Sequence, residues 1–382
     1  MKKKINREKG ITLIALVITI IILLILAGIS ISALTNQGLF KNAKIAQNAT
    51  EKAEKEQGQR LNEYEDEINK YLGNSKDESK DDTKGTTVEE AIKKNGALST
   101  TDNTELKDAK NNKIVVPAGF KIVEGATTVD KGIVIEDVTE TATKGSQFVW
   151  VPVGTITKAD GTTVTITLGR YDFDATTGKE SAYSGTYVEE DSNDSSTLKK
   201  WGNTIAKNIT NFKNSVSANG GYYIGKYEAR TATTRSTKDN ALTQITEKGT
   251  ENVYNYVTQL QAAQLSQNMY NSDKFTSDLM NSYAWDTAIV FIQNCGTNTK
   301  YSRQKSLNTS LSQTGTTEDI QCNIYDMASN ICEWTTETSD GSSNPCVYRG
   351  GFYGFSYTCT NIRDRNTSDS SGLVGFRPLL YL

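Results

Sequence analysis

Residues 325–382 read YDMASNICEWTTETSDGSSNPCVYRGGFYGFSYTCTNIRDRNTSDSSGLVGFRPLLYL. Three fixed groups, Glu333-Trp334-Thr335, Arg349-Gly350-Gly351 and Gly375-Phe376-Arg377-Pro378, frame a filling of small, aromatic and hydroxyl residues. Trp334 lies in a short apolar-flanked stretch and reads as a core anchor, because a large ring gains most when enclosed. Gly350-Gly351 marks backbone that a side chain would forbid, or a close approach of two chains. Arg349 and Arg377, each next to a glycine, read as partly buried cations paired with Glu333 or Asp326.

Working outward toward the N-terminus, Ile114–Pro117, Gly132–Ile135, Gln147–Val153, Arg170–Phe173 and Gly220–Glu228 have strand character. Tyr256–Asn268 and Asp278–Gln293 carry apolar residues at helical spacing. Many short strands with few helices indicate an α+β domain over residues 113–382. Residues 73–112 are polar and charged, with one short helical VEEAIKK, and read as a flexible tether. Before it, Leu61, Tyr64, Ile68 and Leu72 form one apolar stripe, which predicts a stalk helix within 35–72.

The N-terminus bears on location. Met1–Lys9 is strongly basic, and from Ile11 to Phe40 there is no charged side chain. The apolar run 11–34 is long enough to span a bilayer as a helix. Its basic flank stays on the cytoplasmic side, so the rest of the chain faces outward. The reading is therefore a single-pass membrane protein with its C-terminal domain outside the cell.

Composition excludes several chemistries. The 382 residues carry a net charge of −3, and no basic block outside the first nine residues could serve as a nucleic-acid footprint. Histidine is absent, which removes Ser-His-Asp triads, Cys-His pairs and His-containing metal sites. The five cysteines, Cys295, Cys322, Cys332, Cys346 and Cys359, contain no C-x-x-C pair. Their odd number leaves at least one thiol unpaired in a monomer, while local bridges such as Cys322–Cys332 or Cys346–Cys359 are conceivable. No calcium-loop spacing stands out. No cofactor is expected, a structural calcium ion being left open.

Two resemblances follow from these residues. Lys9-Gly10-Ile11-Thr12-Leu13-Ile14 resembles the prepilin-type signal. That resemblance implies cleavage after Gly10 by a prepilin peptidase, methylation of Ile11, and retention of residues 11–34 as the anchor in a bacterial cytoplasmic membrane. Pilins generally have Glu at the fifth mature position, where this chain has Ala15, which argues against a major pilus subunit.

Gly220–Glu228, Asn281–Trp285, Tyr325–Trp334, Arg349-Gly350-Gly351 and Gly375–Pro378 together resemble the formylglycine-generating enzyme/sulfatase-modifying factor group. The resemblance implies a C-type-lectin-like fold. Catalytic members hold copper through two cysteines after the Arg-Gly-Gly. The matching stretch here has Cys359 alone, one place out of register, with Phe355 where the first would fall. Copper(I) needs two soft thiolates, so no catalytic residue and no metal site is assigned.

The same fold serves the variable proteins of diversity-generating retroelements, in which adenines of AAY-type codons are randomised. Such codons cannot become Lys, Glu, Gln, Met or Trp, and residues 352–374 contain none of these five. The resemblance implies non-catalytic binding or adhesion. Candidate contacts are Phe352, Tyr353, Phe355, Tyr357, Asn361, Arg363, Asp364, Arg365 and Asn366, since rigid aromatics, adaptable amides and arginine suit a binding surface. Glu333, Trp334, Arg349, Gly350, Gly351, Gly375, Phe376 and Arg377 form the frame. Expected partners are the membrane, the peptidase and an unknown protein or glycan ligand. The alternative is a minor pilin-like subunit of a pilus or pseudopilus, which adds pilin-like partners.

Overall fold

The computed structural model describes residues 86–94, 96–189, 206, 208–238, 245–339 and 343–382. The chain divides after Asp82, and all the described residues fall in the second, compact unit, Thr83–Leu382. The leader, the apolar run 11–34 and the stalk 35–72 lie outside the described residues. Among those described, no helix is long and apolar enough to cross a membrane.

The second unit is α+β, dominated by short strands. Its larger sheet is antiparallel and six-stranded. In spatial order it contains β14 (Thr276–Leu279), β21 (Pro378–Tyr381), β11 (Gly221–Gly225), β5 (Gln147–Pro152), β4 (Val134–Asp137) and β3 (Phe120–Ile122). Both faces of β5 and β11 are covered, which is why QFVWVP and GYYIG read as continuous apolar runs rather than alternating ones. Trp150 and Tyr223 pack edge to face at 4.9 Å across this strand pair.

The second sheet is organised by β17 (Cys332–Ser339), buried at every position. On one side it pairs with β18 (Cys346–Arg349), which pairs in turn with β19 (Ile362–Arg365). On its other side β20 (Val374–Phe376) runs parallel to its first half, and β10 (Tyr187–Val188) runs antiparallel to its end. Trp334 is fully buried, and its indole N–H donates to the Val257 carbonyl at 2.7 Å.

Helices fill the faces. The helix Ile209–Asn219 packs on β11, Gln259–Gln267 on β14 and β17, and Ser282–Cys295 against β5 and β17. The first of these was not anticipated, because its stripe of Ile209, Phe212 and Val216 is interrupted by Asn and Ser. The other two begin three or four residues later than expected, at their caps. Thr258 and Gln261 form a reciprocal capping box, and Asn281 accepts the Ala284 N–H at 2.8 Å.

The tether expected over 73–112 contains folded structure. Val88–Lys93 is a helix with a Thr87/Glu90 capping box, and β1 (Thr104–Lys107) pairs with β2 (Lys113–Val116). Val88, Ala91 and Leu106 are buried in the common core and Ile92 and Leu98 pack against it, so a few apolar side chains dock an otherwise polar stretch.

The conceivable bridges Cys322–Cys332 and Cys346–Cys359 are not formed, and all five thiols are free. The thiol of Cys322 faces the Asp130 carbonyl at 3.7 Å, that of Cys332 the Gly350 carbonyl at 3.4 Å, and that of Cys359 the Tyr301 carbonyl at 3.0 Å.

Candidate binding surface

The frame is held by two buried charge clusters. Arg377 is fully buried and pairs with Glu333 at 2.7 Å, while two further N–H groups donate to the Gly225 and Tyr325 carbonyls, each at 2.8 Å. Arg349 reaches Asp286 at 2.6 Å and grips Glu337 with two N–H groups, one of them at 2.8 Å. Arg170 also pairs with Glu337. Arg377 thus takes the expected partner Glu333, whereas Arg349 takes partners from β17 and the helix Ser282–Cys295. Guanidinium groups suit this task because their planar fork matches a carboxylate.

Glycine lets the chain turn out of this frame. Gly350 has φ +92°, and a Cβ on Gly351 would lie 2.2 Å from the Ala328 carbonyl oxygen. The stretch that follows is stitched down. The Tyr353 N–H donates to Asn330 at 2.9 Å, Gly354 to Asn308 at 3.0 Å and Cys359 to Gln304 at 3.1 Å. The Trp285 indole holds the Cys359 carbonyl at 3.0 Å, and the Thr360 hydroxyl holds the Ser302 carbonyl at 3.1 Å.

On this base stands an aromatic cluster. Phe352 is only 6% exposed, so it is a floor and not the contact residue expected of it. Phe355 packs on it at 4.5 Å and Tyr357 at 5.3 Å, and the rings of Phe355 and Tyr357 are parallel within 2°. The guanidinium of Arg363, on β19, lies 3.2 Å from the centre of the Tyr357 ring. Arg365 pairs with Asp369 at 3.1 Å and faces the Tyr348 ring. A cleft of about 180 Å³ opens between Tyr348, Phe352, Arg363, Arg365, Asp369 and Leu373.

The remaining expected residues sort by position. Tyr353 and Asp364 are half-buried, while Asn361 is half-buried and caps a turn by accepting the Thr358 N–H at 3.1 Å. Asn366 is exposed and accepts the Ser368 N–H at 3.0 Å. The sequence reading missed Leu307 and Leu311. They are 53% and 40% exposed, and they lie on the loop whose Asn308 carbonyl accepts the N–H of Gly354, the residue before the 52%-exposed Phe355; Leu311 also lines a cleft with Arg235 and Asn255. Their signal was available as two isolated leucines in SLNTSLSQT.

A larger cavity, about 790 Å³, lies by β3 and shares no lining residue with this surface. Of its three carboxylates, Asp137 already accepts from the hydroxyls of Thr139, Thr143 and Tyr270, and Asp102 is paired with Lys274 at 3.1 Å, while Asp273 is the third. The aromatic surface, with an exposed ring, two exposed leucines and an arginine held by the Tyr348 and Tyr357 side chains, is the better candidate.

No family model and no curated protein matches the chain. Among solved structures, the chain is similar to Treponema denticola variable protein 1, with 12% identity and a TM-score of 0.34 over 63% of this chain and 98% of that one.

Proposed function

We propose that the chain is a non-catalytic ligand-binding or adhesion protein. Its C-type-lectin-like domain presents residues 353–358 and 360–366, with Leu307 and Leu311, outside a bacterial cell. The observation that carries this reading is the contrast between frame and filling. Arg349, Trp334 and Arg377 are enclosed in polar and apolar contacts on every side. Phe355, only a few residues beyond Arg349, exposes half of its ring. An exposed aromatic cluster flanked by arginine, on a backbone tied down by its own hydrogen bonds, suits binding because little freedom remains to be lost.

The basic leader, Gly10-Ile11 and the uncharged run 11–34 support a prepilin-type anchor that holds the domain at the membrane. Against the copper oxidase chemistry of the resembled enzymes stand Phe355, at the place of their first cysteine, and Cys359, whose enclosed thiol is spent on the Tyr301 carbonyl.

Saturation mutagenesis of the full-length chain, read as folded yield and followed by panning against a purified target protein, tests the proposal. Positions 355, 357, 363, 365 and 366 should accept most residues and yield binders, while 334, 349–351 and 375–377 should accept almost none. Equal intolerance in both groups would refute a display surface. Copper-dependent oxidation of a cysteine peptide by the purified protein would refute the non-catalytic reading.

A further inference from the structure

The strands Ile320–Gln321 and Ile324–Tyr325 form a hairpin whose two-residue turn is Cys322-Asn323. Both turn residues have positive φ, +48° and +61°. This is the geometry that glycine and asparagine adopt most readily. Asn323 fits that preference, and Cys322 does not. A residue held in such a conformation points to a local reason for its presence.

The surroundings supply one. The tip is pressed into a notch between the 3-10 turn Val129–Lys131 and the C-terminal end of the helix Ser282–Cys295. Asn323 donates to the carbonyls of Lys131 at 3.2 Å and Gly132 at 2.8 Å. A Cβ on Gly132 would lie 1.8 Å from the Cys322 carbonyl oxygen, so only glycine admits the tip. On the other wall, the Gln321 side chain accepts the Thr297 N–H at 2.8 Å. A Cβ on Gly296 would sit 3.5 Å from the Cys322 sulfur. The residue before Gly296 is Cys295, which ends the helix and is nearly buried. The Cys322 sulfur thus lies beside the residue that follows Cys295, and Cys295 is near enough to push the Cys322 thiol up, so two cysteines from segments distant in sequence meet at this notch.

We propose that Cys295 and Cys322 are a disulfide site that locks the hairpin tip to the end of the helix. The oxidant is a small disulfide such as oxidised glutathione. One thiolate attacks it, forming a mixed disulfide and releasing one glutathione thiol. The second thiolate then displaces the other, so two protein thiols become one bond and two glutathione thiols leave. Burial raises the Cys295 thiol to about 12 and raises Cys322 further, so exchange proceeds when the tip is open. The closed bond would fix the segment 296–321, which includes Leu307, Leu311 and the Asn308 carbonyl that receives Gly354.

The test uses the full-length chain in detergent, incubated in sub-denaturing urea with oxidised and reduced glutathione. It is then denatured in iodoacetamide and digested with trypsin and an acidic-residue protease that cuts at Asp326 and Glu333. The expected map shows a Cys295–Cys322 linked peptide, with Cys332, Cys346 and Cys359 alkylated. The urea midpoint of the oxidised protein should rise above that of the reduced one, and in C295S and C322S this difference should vanish. Three outcomes overturn the proposal: five alkylated thiols, a different cysteine pair, or wild-type Cys322 carrying glutathione beside an alkylated Cys295. Should either serine variant fail to fold, the wild-type map decides alone.

Discussion

Replacing Arg349 with methionine removes the cation from between Asp286 and Glu337 while keeping most of the side chain's volume. The two carboxylates are not left equally. Glu337 keeps Arg170 and the Thr335 hydroxyl, the latter at 3.1 Å. Asp286 keeps only the Tyr171 N–H at 2.9 Å as a close partner. Asp286 is fully buried, and even beside Arg349 its burial already raises its pKa to about 6. Removing one partner of a buried ion pair costs about 3–5 kcal/mol.

Protonation limits that cost and gives the prediction a second signature. Between about pH 7 and pH 8 the unfolded and wild-type Asp286 are mostly ionised, while the variant's Asp286 holds a proton. The penalty should then grow by about 1.4 kcal/mol per pH unit. Urea unfolding of the full-length chain, followed by the fluorescence of the buried Trp150, Trp285 and Trp334, measures both effects. R349M/D286N should recover most of the loss at pH 8. A loss under about 1 kcal/mol, or one that does not change with pH, would refute the view that an uncompensated buried charge is what Arg349 prevents.

Burial raises Asp326 and Glu189 to about 7, well above their unfolded values. Carboxylates raised in this way stabilise fully at low pH and lose the contribution as pH rises through about 7, so the urea midpoint should fall from pH 5.5 to pH 8, and less steeply in D326N. Gly351→Ala forces a Cβ to within 2.2 Å of the Ala328 carbonyl oxygen, a backbone atom, and should cost about 1–3 kcal/mol in the same unfolding assay. Phe355→Ala removes a half-exposed ring and should change stability by no more than about 0.5 kcal/mol, yet abolish capture of any target selected on the surface.

The parts of the fold legible in the sequence are those enclosed on all sides. Trp334, Arg377 with Glu333, and the apolar runs of β5 and β11 could be read because enclosure leaves a composition that few other settings produce. Arg349 was read as buried and paired, but its partners were not. Glu337 is only 12 residues away but lies outside the Glu333-Trp334-Thr335 group that drew the reading, and Asp286, 63 residues away, is brought to it only by the packing of the helix Ser282–Cys295 on β17. Phe352 and Phe355 are chemically identical and three residues apart, yet one is floor and the other surface. A loop has no periodicity to separate them. Leu307 and Leu311 escaped because nothing local ties residues near 308 to residues near 354.

That distinction within the loop sharpens the expectation for diversified codons. If residues 352–374 were varied without regard to structure, substitutions would fall on Phe352, Cys359 and Val374, all buried, as often as on Phe355. The Cys359 thiol donates to the Tyr301 carbonyl, and its backbone takes hydrogen bonds from Trp285 and gives one to Gln304. Val374 pairs with Cys332 in the parallel ladder. Emptying such a site typically costs about 2–5 kcal/mol, a large part of a domain's stability of roughly 5–15 kcal/mol. Deep sequencing of the C-terminal codons across a growing population should then show change at 353, 355, 357, 361 and 363–366, and near-constancy at 352, 359 and 374. Variation spread evenly over both groups would contradict the division of this loop into floor and contact surface. Constancy at every position would remove diversification and leave a fixed binding surface.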